Sequence, residues 1–140
     1  LERDIHSCGT FRMKARAIQE SCHMILQKFG GEVPRTMPEM LLLRGVGRKT
    51  ASIVLATAYG IIDGIPIDTH CIRLTQRMGL TKFSEQSKIE KDLMKRTPHK
   101  DWVHLSHLLV AHGRAVCIAR RPACERCVFR KKCPSSLVKK

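Results

Sequence analysis

The chain has 140 residues, 43% of them hydrophobic, with 26 Lys or Arg against 12 Asp or Glu and a net charge of +14. That length suits one ordinary domain or two small lobes, and the apolar fraction excludes wholesale disorder. No apolar run reaches the roughly 20 residues needed to cross a bilayer, since the longest, residues 51–62, is broken by Ser52, Thr57 and Gly60.

Helical spacing dominates along the chain and period-two alternation is nearly absent. Residues 10–29 predict a first helix: Phe11, Ala15, Ile18, Cys22, Ile25, Leu26 and Phe29 recur every three or four positions, and Gly30-Gly31 ends it. Thr36-Met-Pro-Glu39 is a capping box with Pro38 in the first turn, and predicts a second helix through Leu43. Gly45-Val46-Gly47 forces a tight turn with φ > 0 at its glycines. A third helix runs from Arg48 to Tyr59 and stops at Gly60. Asp68 caps a fourth, ending near Met78-Gly79; Ser84 caps a fifth, to Arg96; a sixth spans about 101–116. The last 24 residues, punctuated by Cys and Pro, are too irregular for long helices.

The excess of positive charge attracts polyanions, nucleic acid before anionic membrane. It is concentrated at the end: residues 113–140 hold nine Lys or Arg and one acid, Glu125. One Trp, one Tyr and four Phe are too few for a base-stacking sheet or OB barrel.

The turn at 45–47 delivers free N–H groups to the start of the third helix, where the dipole favours an anion such as phosphate. An ordinary packing joint between helices would look the same. Arg48 and Lys49 stand in the first turn, with the wrong sign for the dipole. They are explained either by phosphate contact or by a lysine whose amine is wanted neutral, as a nucleophile. Asp68, about 20 residues on, reads as a helix cap and equally as a carboxylate facing a cationic intermediate. His70 and the histidines of the sixth helix, His104, His107 and His112, read as structural, because no pair has the carboxylate spacing of a zinc enzyme.

Seven cysteines, an odd number without a secretory signal, point to reduced intracellular thiols. Cys8, Cys22 and Cys71 are expected as small buried hydrophobes. Cys117, Cys124, Cys127 and Cys133, spaced x6, x2 and x5, imply a metal centre. One short knuckle between longer spacers leans from zinc toward an iron–sulfur cluster. Arg120 and Arg121 in the first spacer would face a phosphate backbone, or simply keep the loop soluble.

Four landmarks now stand in order: residues 43–51 (Leu-Arg-Gly-Val-Gly-Arg-Lys-Thr-Ala), 67–70 (Ile-Asp-Thr-His), 111–114 (Ala-His-Gly-Arg) and the cysteine spacing. Together they resemble the endonuclease III family, helix–hairpin–helix DNA glycosylases with a [4Fe-4S] cluster. The resemblance implies an all-α fold: part of a six-helix barrel over residues 1–62, containing the helix–hairpin–helix at 36–59, and a helical cluster domain over 63–140 with its loop at 117–133. It implies that Lys49 forms a Schiff base at the sugar C1′ of a flipped nucleotide, and that Asp68 is the catalytic aspartate. Gly45, Val46 and Gly47 would grip phosphate, with Arg48, Thr50, Arg120 and Arg121 as further DNA contacts, and the four cysteines would ligate the cluster. The implied partner is double-stranded DNA with a damaged base or an abasic site; no membrane is involved. Lys49 favours a bifunctional glycosylase and abasic-site lyase acting on oxidised pyrimidines, because the related mismatch and adenine glycosylases generally lack lysine there. The alternatives are a monofunctional G·T or G·U mismatch glycosylase and a non-catalytic DNA-binding fragment.

The sequence departs from the family at Arg44, usually Pro, and at Ser52, commonly Asn. Arg44 could add a phosphate contact. The family also has about half a domain more before the point where this sequence starts. A missing N-terminal segment or a second chain is therefore expected to complete the barrel, and apolar faces on the first helices are expected to be exposed.

Overall fold

The computed structural model describes residues 1–138, which form two compact units, Leu1–Asp63 and Gly64 onward. Among the described residues the regular structure is entirely helical, and no helix is long and apolar enough to cross a membrane.

The first unit contains α1 (Phe11–Lys28), α2 (Met37–Met40) and α3 (Arg48–Tyr59). Its core is Met37, Met40, Leu43, Ala51 and Leu55, flanked by Ile25, Phe29, Val46 and Val54. The α3 residues are spaced so that Ala51 and Leu55 fall on one face, and that face packs on α2. Fully burying a side chain the size of Leu55 stabilises by about 1.5–3 kcal/mol. The amphipathic stripe of α1 is only partly covered: Ala15 is buried, whereas Ile18 and Leu26 are 43% and 67% exposed.

The second unit contains α4 (Thr69–Arg77), α5 (Gln86–Met94) and α6 (Trp102–Ala115), with 3-10 turns at His99–Asp101 and Cys124–Arg126. Its core joins Ile65 and Ile67 to Cys71 and Leu74 of α4, Ile89 and Leu93 of α5, and Leu109 of α6. α4 and α6 pack closely. At Gly113 an added Cβ would lie 3.0 Å from His70 Nδ1 and 3.1 Å from Arg73 Nη2, so a larger residue would require those side chains to give way where the helices approach.

Several element boundaries differ from the expected ones, each for a local reason. Thr10 lies in the left-handed region, φ 56°, so α1 begins at Phe11. The second helix closes after Met40, and residues 41–45 continue as turns. Its cap is half the expected box: the Glu39 N–H donates to Thr36 Oγ1 at 3.4 Å, but the Glu39 carboxylate accepts from that same hydroxyl at 2.6 Å. α5 begins at Gln86 after Glu85, not under a Ser84 cap, and ends at Met94, two residues before Arg96. Cys71 is buried as expected, but Cys8 and Cys22 are exposed. Lys139 and Lys140, part of the C-terminal charge excess, lie outside the described residues.

Candidate functional site

The hairpin between α2 and α3 is built on one glycine more than on the other. Gly45 has φ +77°, and an added Cβ would meet the Ala17 Cβ of α1 at 3.0 Å, so both backbone and packing require glycine. Gly47 has φ −91° and ψ 172°, extended backbone open to any residue, and serves as the N-cap of α3. A Cβ there would meet nothing within 4 Å. The turn therefore needs its φ > 0 at Gly45 alone, and the space at Gly47 stands open beside the helix start. Val46 is half-buried against the core of the unit and pins the tip of the turn.

Arg44 is engaged within the protein. Its Nη1 donates to both carboxylate oxygens of Glu20 on α1, at 2.6 and 2.8 Å, and Arg16 Nε donates to the same carboxylate at 2.8 Å. Hydrogen bonds from Arg44 first and Arg16 second hold the Glu20 carboxyl below its ordinary value. Ser21 Oγ donates to Arg44 O at 3.0 Å. Arg44, which stands where the family usually has proline, thus ties the hairpin to α1.

Arg48, Lys49 and Thr50 form the exposed first turn of α3. Arg48 Nη2 reaches Asp63 O at 3.4 Å. Ser52, one turn further along, is buried, and its hydroxyl finds no hydrogen-bond partner among the described residues.

In the second unit Asp68 is the N-cap of α4: its Oδ1 accepts from the Cys71 N–H at 2.8 Å. The segment leading to it is pinned from two sides. Ser106 Oγ of α6 donates to Pro66 O at 2.6 Å, and Gln86 Nε2 of α5 donates to Ile67 O. Asp68 is half-buried and rigidly held, which suits both a cap and a carboxylate of fixed aim. Cys71 lies behind it, and burial pushes its thiol pKa up.

Cys117, Cys124, Cys127 and Cys133 line one cavity, together with Arg77, Met78, His112 and Val116. His112 Nε2 lies 3.5 Å from Cys127 Sγ. Among the described residues no three His, Cys, Asp or Glu side chains gather as one metal ion would require. The residues lining this cavity include no carboxylate, so its metal-binding side chains are thiolates and one imidazole. Arg120 and Arg121 are exposed on the first spacer of the loop. The structure thus places Gly45 to Thr50 in one unit, and Asp68, the four cysteines and both loop arginines in the other.

Sequence reasoning missed the side chains that hold this loop. Arg73 of α4 donates to Gly113 O and Cys117 O, each at 3.0 Å from Nη2, and its Nη2 lies 3.1 Å from His70 Nδ1. Arg77, one turn on, donates to Ile118 O at 3.0 Å, to Ala119 O at 2.7 Å and to Cys117 Sγ at 3.4 Å. Their i, i+4 spacing on a strongly amphipathic helix was the available signal. It did not say that the acceptors would be carbonyls some 40 residues away.

The family described as HhH-GPD superfamily base excision DNA repair protein matches residues 1–99. Endonuclease III of Synechocystis sp. is 52% identical over 136 residues, covering 97% of this chain and 62% of that protein. A solved structure of a non-covalent endonuclease III–DNA complex superposes with a TM-score of 0.91 at 41% identity, over 96% of this chain and 63% of the other. A trapped endonuclease III–DNA covalent intermediate, the estranged-adenine complex, gives the same TM-score at 40% identity and the same coverage. The chain thus spans about three-fifths of the length of the curated relatives it matches. It belongs to the HhH-GPD superfamily of base excision DNA repair proteins.

Proposed function

We propose that the chain carries the chemistry of a bifunctional DNA glycosylase and abasic-site lyase acting on double-stranded DNA with a damaged pyrimidine or an abasic site. The observation that carries this reading is Lys49: an exposed lysine in the first turn of α3, immediately after the hairpin. It stands in a chain that superposes closely on an endonuclease III trapped covalently on DNA. The hairpin backbone at Gly45 to Gly47, with Arg48 and Thr50, would grip a phosphate at the helix start. Arg120 and Arg121 would add backbone contacts that fix orientation without reading sequence.

The target nucleotide must leave the stack before any side chain can reach its sugar. The neutral Lys49 amine attacks C1′, and the base departs with a proton. The C1′–O4′ bond then breaks, with O4′ taking up a proton, and leaves an imine between Nζ and C1′; the imine acidifies the C2′ proton, whose removal expels the 3′ phosphate. Hydrolysis then returns the amine. Asp68, fixed by its cap bond, would stabilise the positive charge that develops at the sugar. Cys117, Cys124, Cys127 and Cys133 would hold a [4Fe-4S] cluster, supported by their shared cavity and carboxylate-free lining. When bound, that group supplies four covalent anchors to a loop that has little core of its own. Thiolate ligation requires reduced cysteines, which fits an intracellular compartment.

The test is a pair of duplexes, one with a single oxidised pyrimidine and one with a G·T or G·U mismatch. The proposal predicts strand cleavage at the oxidised pyrimidine. Release of the mismatched base without strand cleavage would support a monofunctional mismatch glycosylase. Salt-sensitive binding with neither product would support a non-catalytic fragment.

A further inference from the structure

α4 touches both chemically important parts of its own unit. Its N-cap is Asp68; its last residue is Arg77, about 14 Å away along nine residues. Arg77 lies against two of the four cysteines: its Nη1 donates to Cys117 Sγ at 3.4 Å, and its backbone carbonyl accepts from Cys133 Sγ at 3.3 Å. Its guanidinium also donates to Ile118 O and Ala119 O, so the fork is held in place from the loop side. Arg73 holds the same loop through the carbonyls of Gly113 and Cys117 and lies against the His70 ring, but its hydrogen bonds reach no sulfur.

We infer that Arg77 is a positioning residue for the cluster, donating a charge-assisted hydrogen bond to the Cys117 sulfur that sets how firmly this ligand is held and how readily the cluster accepts an electron. The inference rests on the reading that the four cysteines hold a [4Fe-4S] group. Outer-shell donors orient metal ligands, and hydrogen bonds to sulfur are among the features that set cluster potentials. A cation donating to a thiolate withdraws charge from it. It therefore favours the more negative, reduced cluster, and its removal moves the midpoint potential in the negative direction. Arg73 supplies the internal control, because it braces the loop without touching sulfur.

The experiment uses the full chain loaded with iron and sulfide under anaerobic conditions. It compares the wild type with Arg77→Met, Arg77→Lys and Arg73→Met, after circular dichroism has shown equal helix content. The readouts are iron and sulfide content, the rate of cluster loss to a chelator, and the midpoint potential by voltammetry. Arg77→Met is expected to lose its cluster about tenfold faster or more, and to show a more negative potential. Arg77→Lys, which keeps the charge but not the fork, is expected to fall between Arg77→Met and the wild type. Arg73→Met is expected to lose its cluster faster at an unchanged potential. If Arg77→Met retains too little cluster for voltammetry, Arg77→Lys decides the question. Wild-type potential in the measurable Arg77 variant, or an equal shift in Arg73→Met, would overturn the inference. A wild type that binds zinc and takes up neither iron nor sulfide would overturn the cluster reading itself, and the inference with it.

Discussion

The hairpin and the cysteine loop are both proposed to face DNA, yet they get their shapes in opposite ways. The hairpin is shaped by its own backbone. Gly45 turns it, Val46 pins its tip, and Arg44 ties it to the neighbouring α1 through Glu20. The cysteine loop, with mostly exposed spacers and a run of local turn bonds that includes the short 3-10 turn at Cys124–Arg126, is held in addition by long-range contacts from outside it. Arg73 and Arg77 of α4 grip its first carbonyls, and its four cysteines line one cavity. A phosphate-binding turn can therefore be specified by a few adjacent residues, whereas an irregular loop must be held from elsewhere in the fold.

The contrast can be broken most severely at Lys49. Lys49→Gln should leave the hairpin's shape intact, changing stability by less than about 0.5 kcal/mol as an exposed substitution. It should lower strand cleavage at an abasic site by about a hundredfold or more. Duplex affinity, followed by salt titration, should fall only slightly. Next in size is Cys124→Ser, which should cut bound iron about tenfold or more and destabilise the second unit. Exchange protection in α3, measured by amide hydrogen exchange, should stay unchanged.

The two glycines of the hairpin sharpen the comparison further. Gly45→Ala places a side chain at φ +77° and 3.0 Å from Ala17 Cβ, and should cost about 1–3 kcal/mol in urea unfolding. Gly47→Ala, with room around it, should cost under about 1 kcal/mol while weakening duplex binding. Equal losses of stability would mean that both glycines serve the fold.

At Asp68 the cap and the chemistry can be separated. Asp68→Ala removes the bond to the Cys71 N–H and should cost about 1 kcal/mol. Asp68→Asn keeps a capping oxygen, so stability should stay near the wild type while cleavage falls. The smallest effect is at Glu20. Its folded pKa lies below the unfolded value, so its contribution is present above the ordinary carboxylate value of 4.5 and is lost as pH falls through the folded one. Between about pH 6 and about pH 3 the wild type should therefore lose more stability than Glu20→Gln, by thermal unfolding.

Legibility in the sequence followed the same division. α3 was readable to the residue, because Gly47 and Gly60 bound it and Ala51 and Leu55 face one core. The Asp68 cap was readable because a cap is a local bond. The spacing of Cys117, Cys124, Cys127 and Cys133 predicted that they gather, and they line one cavity. The pairing of Arg44 with Glu20 was not readable, because Glu20 lies 24 residues away on α1. Arg73 and Arg77 were overlooked because their acceptors are backbone carbonyls, which carry no side-chain signature. Cys8 and Cys22 were expected to be buried, but the α1 stripe that would cover such residues is open among the described residues.

The most direct test of the central claim is borohydride trapping on a duplex with one preformed abasic site. Such a site needs no base-recognition pocket, so it isolates the amine chemistry. Attack by Lys49 on the sugar aldehyde forms an imine with loss of water, and hydride converts it to a stable amine. The account predicts a covalent protein–DNA adduct for the wild type and none for Lys49→Gln. A wild type that binds the duplex and yields no adduct, or an adduct that persists in Lys49→Gln, would contradict it.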